Sequence, residues 1–350
     1  MLDPSWMVAG SGVPDYAGAS TAGFLDGGGV GDGSVKVAVV QRPPVLLDRD
    51  ACVKVAVEAI AEVAAAGAVL AVFPETFIPG YPAWIWDLRP GGDYELASEI
   101  HARLLDNSID LSTDELGPVQ DAAARNAVVV VCGIHERDGS FSRATLYNTL
   151  VTIGADGTVL NRHRKLVPTN PERMVWGQGD ASGLRVIDTG FGRLGGLICW
   201  ENYMPLARYA LYAEGVQVYV ASTWDSGDAW LATMRHIASE GRCWVIGSGC
   251  ALRASDVPRS FPSADTVFPE SDNWLNPGDS IIVAPTGQIV AGPLHEAHDI
   301  LYADIDASES ASLHRTLDVA GHYGRPDIFT LTVDRSPRNP ISFQTAARAD

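Results

Sequence analysis

The chain has 350 residues, of which 46% are hydrophobic and 19% are charged, and this composition is typical of a globular protein with a sizeable core. Its formal net charge of −18 argues against nucleic acid or an anionic membrane surface as a partner. No apolar run reaches the roughly 20 residues of a transmembrane helix, no signal-peptide pattern is present, and the five cysteines show no C-x-x-C spacing. We therefore expect a reduced, cytoplasmic protein.

Three segments that differ in composition and hydrophobic pattern follow one another along the chain. Residues 1–34 are rich in Gly, Ser, Ala and Asp and end in GGGVGDGS. Because they bury little apolar surface, we interpret them as a flexible leader. We expect one folded domain over residues 35–311. Residues 312–350, which include AGHYGRPDIF, show no clean period and predict an extended C-terminal arm.

Strands and helices alternate in the predicted domain. Short buried runs predict strands, and apolar residues at helical spacing predict helices. The predicted strands are 35–41, 68–75, 128–137, a hairpin over 144–165 with its turn at Asp156-Gly157, 193–199, 216–223, 243–251, 280–285 and 299–306. The predicted helices are 50–65, 112–126 with a capping box of Ser112 and Glu115, 204–215 and 229–242. Because hairpins are mixed with alternating elements, we predict an α/β fold with two partly antiparallel sheets covered by helices.

Glu75 lies at the end of the second predicted strand, in VFPETFIPGYP. A carboxylate at the edge of the core is partly desolvated, and desolvation raises its pKa toward the range of a general base. A helix cap or a solvated turn explains the same position, so both interpretations stay open on this segment alone.

Lys165 ends the predicted hairpin, and Glu172 follows seven residues later in RHRKLVPTNPERMVWGQGD. The stretches Val167-Pro168 and Met174-Val175-Trp176 make this segment partly apolar. A lysine held there presents an ammonium group to a developing anion, and a carboxylate holds it in place. An ordinary surface cluster with one structural ion pair is the alternative interpretation.

Cys199 lies where a predicted strand passes into a predicted helix, in RLGGLICWENYMPLARYALYAEG. Backbone N–H groups and the helix dipole at such a junction lower the pKa of a thiol and bind an oxyanion. Its position fits a nucleophile and a core cysteine equally well. We interpret the other cysteines as core residues: Cys52, Cys132, Cys243 and Cys250.

Three of these segments together resemble the signature segments of the nitrilase superfamily. They are FPETFIPGYP, HRKLVPTNPERMVWGQGD and GGLICWENYMPLARYALYAEG, in the order that the superfamily shows. CWENYMPL resembles the nitrilase branch proper, in which tryptophan and glutamate follow the nucleophile. The likeness runs over residues 35–329. It implies a four-layer α-β-β-α sandwich.

The resemblance also implies roles for the polar side chains. Cys199 matches the nucleophile, Glu75 the general base, Lys165 the group that stabilises the intermediate, and Glu172 the second glutamate, which positions the lysine. In the implied reaction the thiol attacks a nitrile carbon to give a thioimidate, and water and loss of ammonia then give a thioester and finally the acid. Lys165 and the backbone N–H of Trp200 are the expected charge stabilisers.

Aromatic residues near these segments are candidate walls of a substrate pocket. Trp200, Trp176 and Tyr81 are the expected substrate-binding residues, and Trp84 and Trp86 are weaker candidates. Plain core packing is the alternative for each of them except Trp200, which adjoins Cys199.

The sequence predicts neither a metal nor an organic cofactor. His135 and Glu136 begin like a zinc motif, but position 139 is glycine, so H-E-x-x-H is incomplete. His163 lies among arginines, and we expect it at the surface. The remaining histidines show no metal-ligand spacing.

The expected function is hydrolysis of an organic nitrile to a carboxylic acid and ammonia. Cyanide dihydratase and an amidase of the same superfamily are the alternatives, and CWE favours a nitrilase over an amidase. The resemblance further implies a homo-oligomer built from dimers, up to a spiral or filament, with the arm over 312–350 in contacts between copies. A purely structural assembly protein would not need four intact catalytic positions.

Overall fold

The computed structural model describes residues 33–89, 91–269 and 273–341. Nearly all of the predicted leader (1–34) and the last residues of the predicted arm (342–350) lie outside the described residues. The interpretation of the leader as flexible therefore stays a prediction.

The described strands belong to two sheets. In chain order they are β1 Val35–Gln41, β2 Ala68–Val72, β3 Val129–Arg137, β4 Leu146–Ile153, β5 Val159–Arg164, β6 Ile187–Thr189, β7 Gly192–Ile198, β8 Val218–Thr223, β9 Trp244–Gly249, β10 Ala251–Arg253, β11 Trp274–Val283, β12 Ile289–His295 and β13 Asp299–Ile305. The first sheet has the order β13-β1-β2-β3-β4-β5. The second has the order β10-β11-β9-β8-β7-β6, with β12 paired to β11. Each sheet has parallel strands at its centre and antiparallel strands beside them, so the prediction of two partly antiparallel sheets is confirmed.

The helices lie between these strands in the sequence, except for the last one, which follows β13. They are α1 Arg49–Ala65, α2 Tyr94–Asn107, α3 Gly117–Asn126, α4 Pro205–Ala213, α5 Asp228–Gly241, α6 Ala264–Val267 and α7 Glu309–Leu313. Short 3₁₀ helices cover Ala83–Trp86, Asn170–Met174, Ala181–Gly183, Cys199–Tyr203 and Ala254–Asp256. None of the helices in the described ranges combines the length and hydrophobicity that a bilayer crossing requires.

Four layers form because alternate residues of each strand face opposite sides of its sheet. In β1, Val37 and Val39 pack against the second sheet, in a cluster that contains Ile198 of β7. Ala38 and Val40 face the other way, in the cluster that includes buried residues of α1 and α3. A third cluster joins the outer face of the second sheet to α4 and α5, and it includes Tyr219, Leu211, Trp230 and Met234. The predicted α-β-β-α sandwich is thus confirmed.

The predicted helix over 112–126 is wrong in its first turn. Helix α3 begins at Gly117, because the side chains upstream bond within a loop instead of capping a helix. The Ser112 hydroxyl donates to the Asp110 carboxylate (2.6 Å), and the Glu115 carboxylate accepts from the Asp110 N–H (2.6 Å). The local bonds of Ser and Asp compete here with helix formation.

Helix α2 was not predicted from the sequence. It spans Tyr94–Asn107, yet only Ile100 and Leu104 are buried. Two buried positions one turn apart are too weak a pattern to stand out against the surrounding polar residues.

Helix α7 runs into the first residues of the predicted arm, and the described residues after it, up to 341, form no further helix or strand. The described part of the arm packs on the cluster under α4 and α5 through Val319, Ala320 and Val333. Arg335 forms an ion pair with Glu214. Its role in contacts between copies stays a prediction.

Candidate active site

Three strand ends bring the candidate residues together at one edge of the sandwich. Glu75 follows β2, Lys165 directly follows β5, and Cys199 directly follows β7. The Cys199 sulfur and one carboxylate oxygen each of Glu75 and Glu172 lie within 4.8 Å of one another. Lys165 Nζ contacts both carboxylates. The four residues matched by sequence therefore meet in one place.

Glu75 is a buried carboxylate with three hydrogen-bond donors. Its Oε1 accepts from Lys165 Nζ (2.9 Å) and from Asn148 Nδ2 (2.6 Å). Its Oε2 accepts from the backbone N–H of Trp224 (2.7 Å). Burial raises the pKa of the Glu75 carboxyl above its usual value, although the Lys165 ammonium acts in the opposite direction. A carboxylate with a raised pKa is a better proton acceptor, as general base catalysis requires.

Lys165 lies between two carboxylates. Its Nζ donates to Glu172 Oε2 (2.7 Å) as well as to Glu75. Burial lowers the pKa of a lysine, but here the Glu75 and Glu172 carboxylates outweigh burial and raise it. Lys165 is thus a fixed cation. The ligand atoms of Glu75, Glu172 and Cys199 lie close enough together to hold a metal ion. Here the Lys165 ammonium supplies the positive charge beside the two carboxylates.

Two further hydrogen bonds fix the Glu172 carboxylate, one from its own segment and one from Tyr81. Its Oε2 also accepts from the Thr169 N–H (2.6 Å), at the start of the 3₁₀ helix over Asn170–Met174. Its Oε1 accepts from the Tyr81 hydroxyl (2.8 Å). These bonds fix the carboxylate that faces Lys165.

Cys199 opens the 3₁₀ helix over Cys199–Tyr203 with a φ of 50°. This left-handed conformation is uncommon for a non-glycine residue. Asn202 Nδ2 donates to its carbonyl oxygen (2.7 Å). Burial and then the Glu75 carboxylate raise the pKa of the Cys199 thiol. The expected lowering by a helix dipole is wrong, because one short 3₁₀ helix does not offset burial between two carboxylates.

A cavity of about 370 Å³ is lined in part by Cys199. Tyr81 and Trp200 line it, as does the weaker candidate Trp86. The Trp200 indole N–H donates to Asp225 Oδ2 (2.9 Å) at the mouth of this cavity.

Trp176 does not line the cavity, so the prediction of this wall residue requires correction. It lies behind Tyr81, with ring centroids 5.9 Å apart. Its indole N–H donates to His135 Nδ1 (3.0 Å), which keeps the ring inside the core. Trp84 is also buried away from the cavity, against Phe261.

Trp224 and Asp225 are cavity residues that the sequence analysis missed. The Trp224 ring stacks on Tyr81 with centroids 4.4 Å apart. The Trp224 backbone N–H donates to the Glu75 carboxylate. Both residues directly follow β8, the parallel neighbour of β7. Cys199 was singled out because it lies at the end of a predicted strand. The same criterion, applied to polar and aromatic residues at the end of β8, would have identified Trp224 and Asp225.

His163 is buried, so its expected surface position is wrong. Its Nε2 lies 3.0 Å from Glu201 Oε2 and 3.2 Å from Oε1. A row of arginines suggested a solvated strand. The alternation of β5 instead turns His163 inward while Arg162 and Arg164 face out.

A buried thiol beside a carboxylate and an ammonium group is the arrangement of a hydrolase that forms a covalent intermediate. The chain belongs to the carbon-nitrogen hydrolase family, which matches residues 36–315. The protein is therefore a hydrolase that acts on carbon–nitrogen bonds.

Known proteins similar to this chain include several nitrilases. The aliphatic nitrilase of Sinorhizobium fredii (strain HH103) is 40% identical over 307 residues, which cover 87% of this chain and 97% of that protein. The bifunctional nitrilase/nitrile hydratase NIT4A of Lupinus angustifolius is 39% identical over 321 residues, 90% of each chain. These matches confirm the resemblance to the nitrilase branch.

Solved structures of the superfamily share the fold. Nit3 of Saccharomyces cerevisiae, a member of branch 10 of the nitrilase superfamily, aligns with a TM-score of 0.65 at 20% identity. The alignment covers 83% of this chain and 96% of that one. An amidase from Nesterenkonia sp. aligns with a TM-score of 0.57, also at 20% identity, over 82% of this chain and 98% of that one.

Proposed function

We propose that the protein is a nitrilase that converts an organic nitrile to its carboxylic acid and ammonia. The observation that carries the proposal is the Cys199 sulfur, which lies beside Glu75, Lys165 and Glu172 and faces a cavity. The nitrilases among the similar proteins support it.

The reaction begins with transfer of the thiol proton. Cys199 passes it to Glu75 as the sulfur attacks the nitrile carbon, and Glu75 then gives this proton to the nitrile nitrogen, so that a thioimidate forms and Glu75 is again a carboxylate. Water, deprotonated by Glu75, adds to the same carbon to give a tetrahedral adduct. Loss of ammonia leaves a thioester, and a second water releases the acid and restores the thiol.

Lys165 and the Trp200 backbone N–H stabilise the charge that develops in these steps. A fixed ammonium in a buried site needs no reorganisation when charge appears. Glu172 holds Lys165 in place through the bond between Oε2 and Nζ.

The size of the cavity favours an organic nitrile over cyanide. About 370 Å³ lies within the usual range of small-molecule sites, and hydrogen cyanide would fill only a small part of it. An amidase would use the same catalytic groups. The similarity of this chain to several nitrilases favours nitrile hydrolysis over amide hydrolysis.

Release of ammonia across a panel of substrates tests the proposal. The panel contains aliphatic, arylaliphatic and aromatic nitriles, cyanide, and the amide that matches each nitrile, and acid and amide products are measured together. We expect ammonia and acid from at least one organic nitrile, with lower kcat/KM for cyanide and for the matched amide. A preference for cyanide or for the amide would contradict the proposal.

The charge of the cavity predicts which nitriles are poor substrates. Its lining includes the acidic residues Asp87, Glu172 and Asp225, and none of the described lining residues is basic. We expect kcat/KM to be at least about 10-fold lower for a nitrile that ends in a carboxylate than for one of equal length that ends in a carboxamide, because like charges repel.

Added salt and the variant Asp225→Asn both test this discrimination. Asparagine can still accept the hydrogen bond from Trp200, but the substitution removes one negative charge. The kcat/KM values for the carboxylate and the carboxamide nitrile should therefore become more similar. Equal kcat/KM for the two nitriles in the wild type would contradict the prediction.

Removal of the Tyr81 hydroxyl tests the support of Glu172. Tyr81→Phe deletes the bond to Glu172 Oε1, and a hydrogen bond to a charged group predicts a fall in kcat/KM of about 10-fold. Tyr94→Phe is the matched control, because Tyr94 is 70% exposed. Wild-type kinetics in Tyr81→Phe would show that Glu172 does not depend on this hydroxyl.

The homo-oligomer, the role of the arm over 312–350 in it, and the cytoplasmic location also remain proposals. Sedimentation of the full chain and of a chain that ends at residue 311 would test the first two together. A smaller assembly for the shortened chain is the expected result.

A further inference from the structure

Glu201 is a buried carboxylate that the proposed reaction does not use. It lies on the 3₁₀ helix over Cys199–Tyr203, two residues after Cys199, and only 1% of its surface is exposed. It does not line the cavity of about 370 Å³. A buried charge is costly unless it is well paired, so its partners indicate what it does.

The Glu201 carboxylate joins the two segments that carry Cys199 and Lys165. Its Oε2 accepts from the N–H of Ile198 (2.7 Å), the residue before Cys199. Its Oε1 accepts from the N–H of Leu166 (2.6 Å), the residue after Lys165. Strands β7 and β5 belong to different sheets, so no ladder of backbone hydrogen bonds connects these two points.

His163 completes the arrangement from β5. Its Nε2 contacts both oxygens of Glu201, and because an ionised carboxylate only accepts, Nε2 carries the proton. Burial alone would raise the pKa of the Glu201 carboxyl, but His163 and the two backbone N–H groups together lower it. Glu201 is therefore ionised and accepts every bond offered to it.

Cys199 needs such support because its backbone conformation is uncommon. With φ at 50°, the residue is held in place by the structure around it. Glu201 fixes the N–H of Ile198 on one side, and Asn202 fixes the Cys199 carbonyl on the other. A displacement of about 1 Å in a reacting group costs about 100-fold in rate.

We propose that Glu201 is a positioning residue, which sets the place of the Cys199 sulfur relative to Lys165 by tying together the backbones beside them. The inference rests on the proposed function. It assigns a role to the glutamate of the CWE segment that is distinct from the roles of Glu75 and Glu172.

Glu201→Gln is the central test. Glutamine has the same shape but only one accepting oxygen, so either Ile198 or Leu166 loses its partner. We expect kcat to fall about 100-fold with KM within about threefold of the wild type. A fall in kcat of less than about 10-fold would overturn the proposal.

Glu115→Gln is the matched control. Glu115 also accepts from a backbone N–H and from two arginines, Arg49 and Arg137, but none of these partners adjoins a site residue. We expect a comparable loss of thermal stability with kcat within about twofold of the wild type. An equal loss of kcat in both variants would mean that Glu201 acts through stability, which overturns the proposal.

Alkylation of Cys199 by iodoacetamide separates this inference from the proposed function. Mass spectrometry of the Cys199 peptide follows the reaction without any nitrile. If the wild type hydrolysed no nitrile, the proposed function would fail, yet alkylation at least about 10-fold slower in Glu201→Gln would still support the positioning role. Equal alkylation rates would overturn it.

His163→Gln decides the matter if Glu201→Gln does not fold. Glutamine can still donate to Glu201, but it removes the imidazole that lowers the pKa of the Glu201 carboxyl, so this pKa should rise. Tyr219 is another titratable group that interacts with Glu201, and it is unchanged in the variant. Protonation of Glu201 would then remove an acceptor at a higher pH. We expect the acid limb of the kcat profile to move upward by at least about half a pH unit, and an unmoved limb would overturn the proposal.

Discussion

Replacement of Cys199 by alanine is expected to lower ammonia release by at least about ten thousand-fold. The reason is chemical, because no other nucleophile lines the described cavity at the point where the carboxylates and Lys165 converge. The backbone should stay in place, since Asn202 bonds to the carbonyl oxygen of residue 199 rather than to its side chain.

Two further variants make this result specific. Cys243→Ala removes another buried thiol whose pKa is also raised by burial, and it should retain wild-type kcat. Cys199→Ser retains a smaller and less acidic nucleophile, and it should remain at least about a thousand-fold below the wild type. Substantial turnover by Cys199→Ala, in a sample free of wild-type enzyme, would contradict the proposed mechanism.

The raised pKa of Cys199 also constrains how the reaction starts. Burial and the two carboxylates raise the pKa of the Cys199 thiol, although the Lys165 ammonium acts in the opposite direction, so we expect the sulfur to become nucleophilic as its proton leaves. Glu75, whose own pKa is raised by burial, is the acceptor within reach. In the proposed mechanism, proton transfer and attack are therefore coupled.

Most of the fold was predictable because its strands are short, apolar and bounded by turn residues. β1, β7 and β8 each appear in the sequence as buried runs, and their alternation places one face in each of two cores. Helix α2 was not predictable in the same way. Its two buried residues, Ile100 and Leu104, pack into a cluster of side chains from other parts of the chain, and this packing is not visible in the local sequence.

Two of the predictions that failed concern side chains whose partners are distant in sequence. His163 is buried because Glu201, 38 residues later, lies opposite it. Trp176 is drawn into the core by His135, 41 residues earlier. Neither pairing leaves a local pattern. The positions of Glu75, Lys165, Glu172 and Cys199 were available because segments with a family resemblance surround each of them.

Lys165→Met is expected to damage both activity and stability. Methionine fills a similar volume, but it leaves Glu75 and Glu172 buried side by side without the ammonium that contacts both. Removing one partner of a buried ion pair costs about 3–5 kcal/mol of unfolding free energy. Turnover should fall at least about a thousand-fold, because the charge that stabilises the intermediate is lost.

The pH dependence of this loss identifies its cause. Lys165 lowers the pKa of Glu75 in the wild type, so in the variant the folded-state pKa of Glu75 should lie still further above its value in the unfolded chain. Below the unfolded pKa both states are protonated and the deficit in unfolding free energy is small. As the pH rises through the raised folded pKa, the folded state must ionise a buried, unpaired carboxyl, and the deficit grows.

Urea unfolding at several pH values from 5 to 9 measures this deficit directly. Lys54→Met is the control, since Lys54 is exposed and lies 4.0 Å from Glu58 in a surface ion pair, which contributes at most about 1 kcal/mol. We expect the unfolding free energy of Lys165→Met to fall relative to this control as the pH increases. A deficit that is constant with pH would mean that Lys165 stabilises the fold through packing alone, and the electrostatic account of the site would then be wrong.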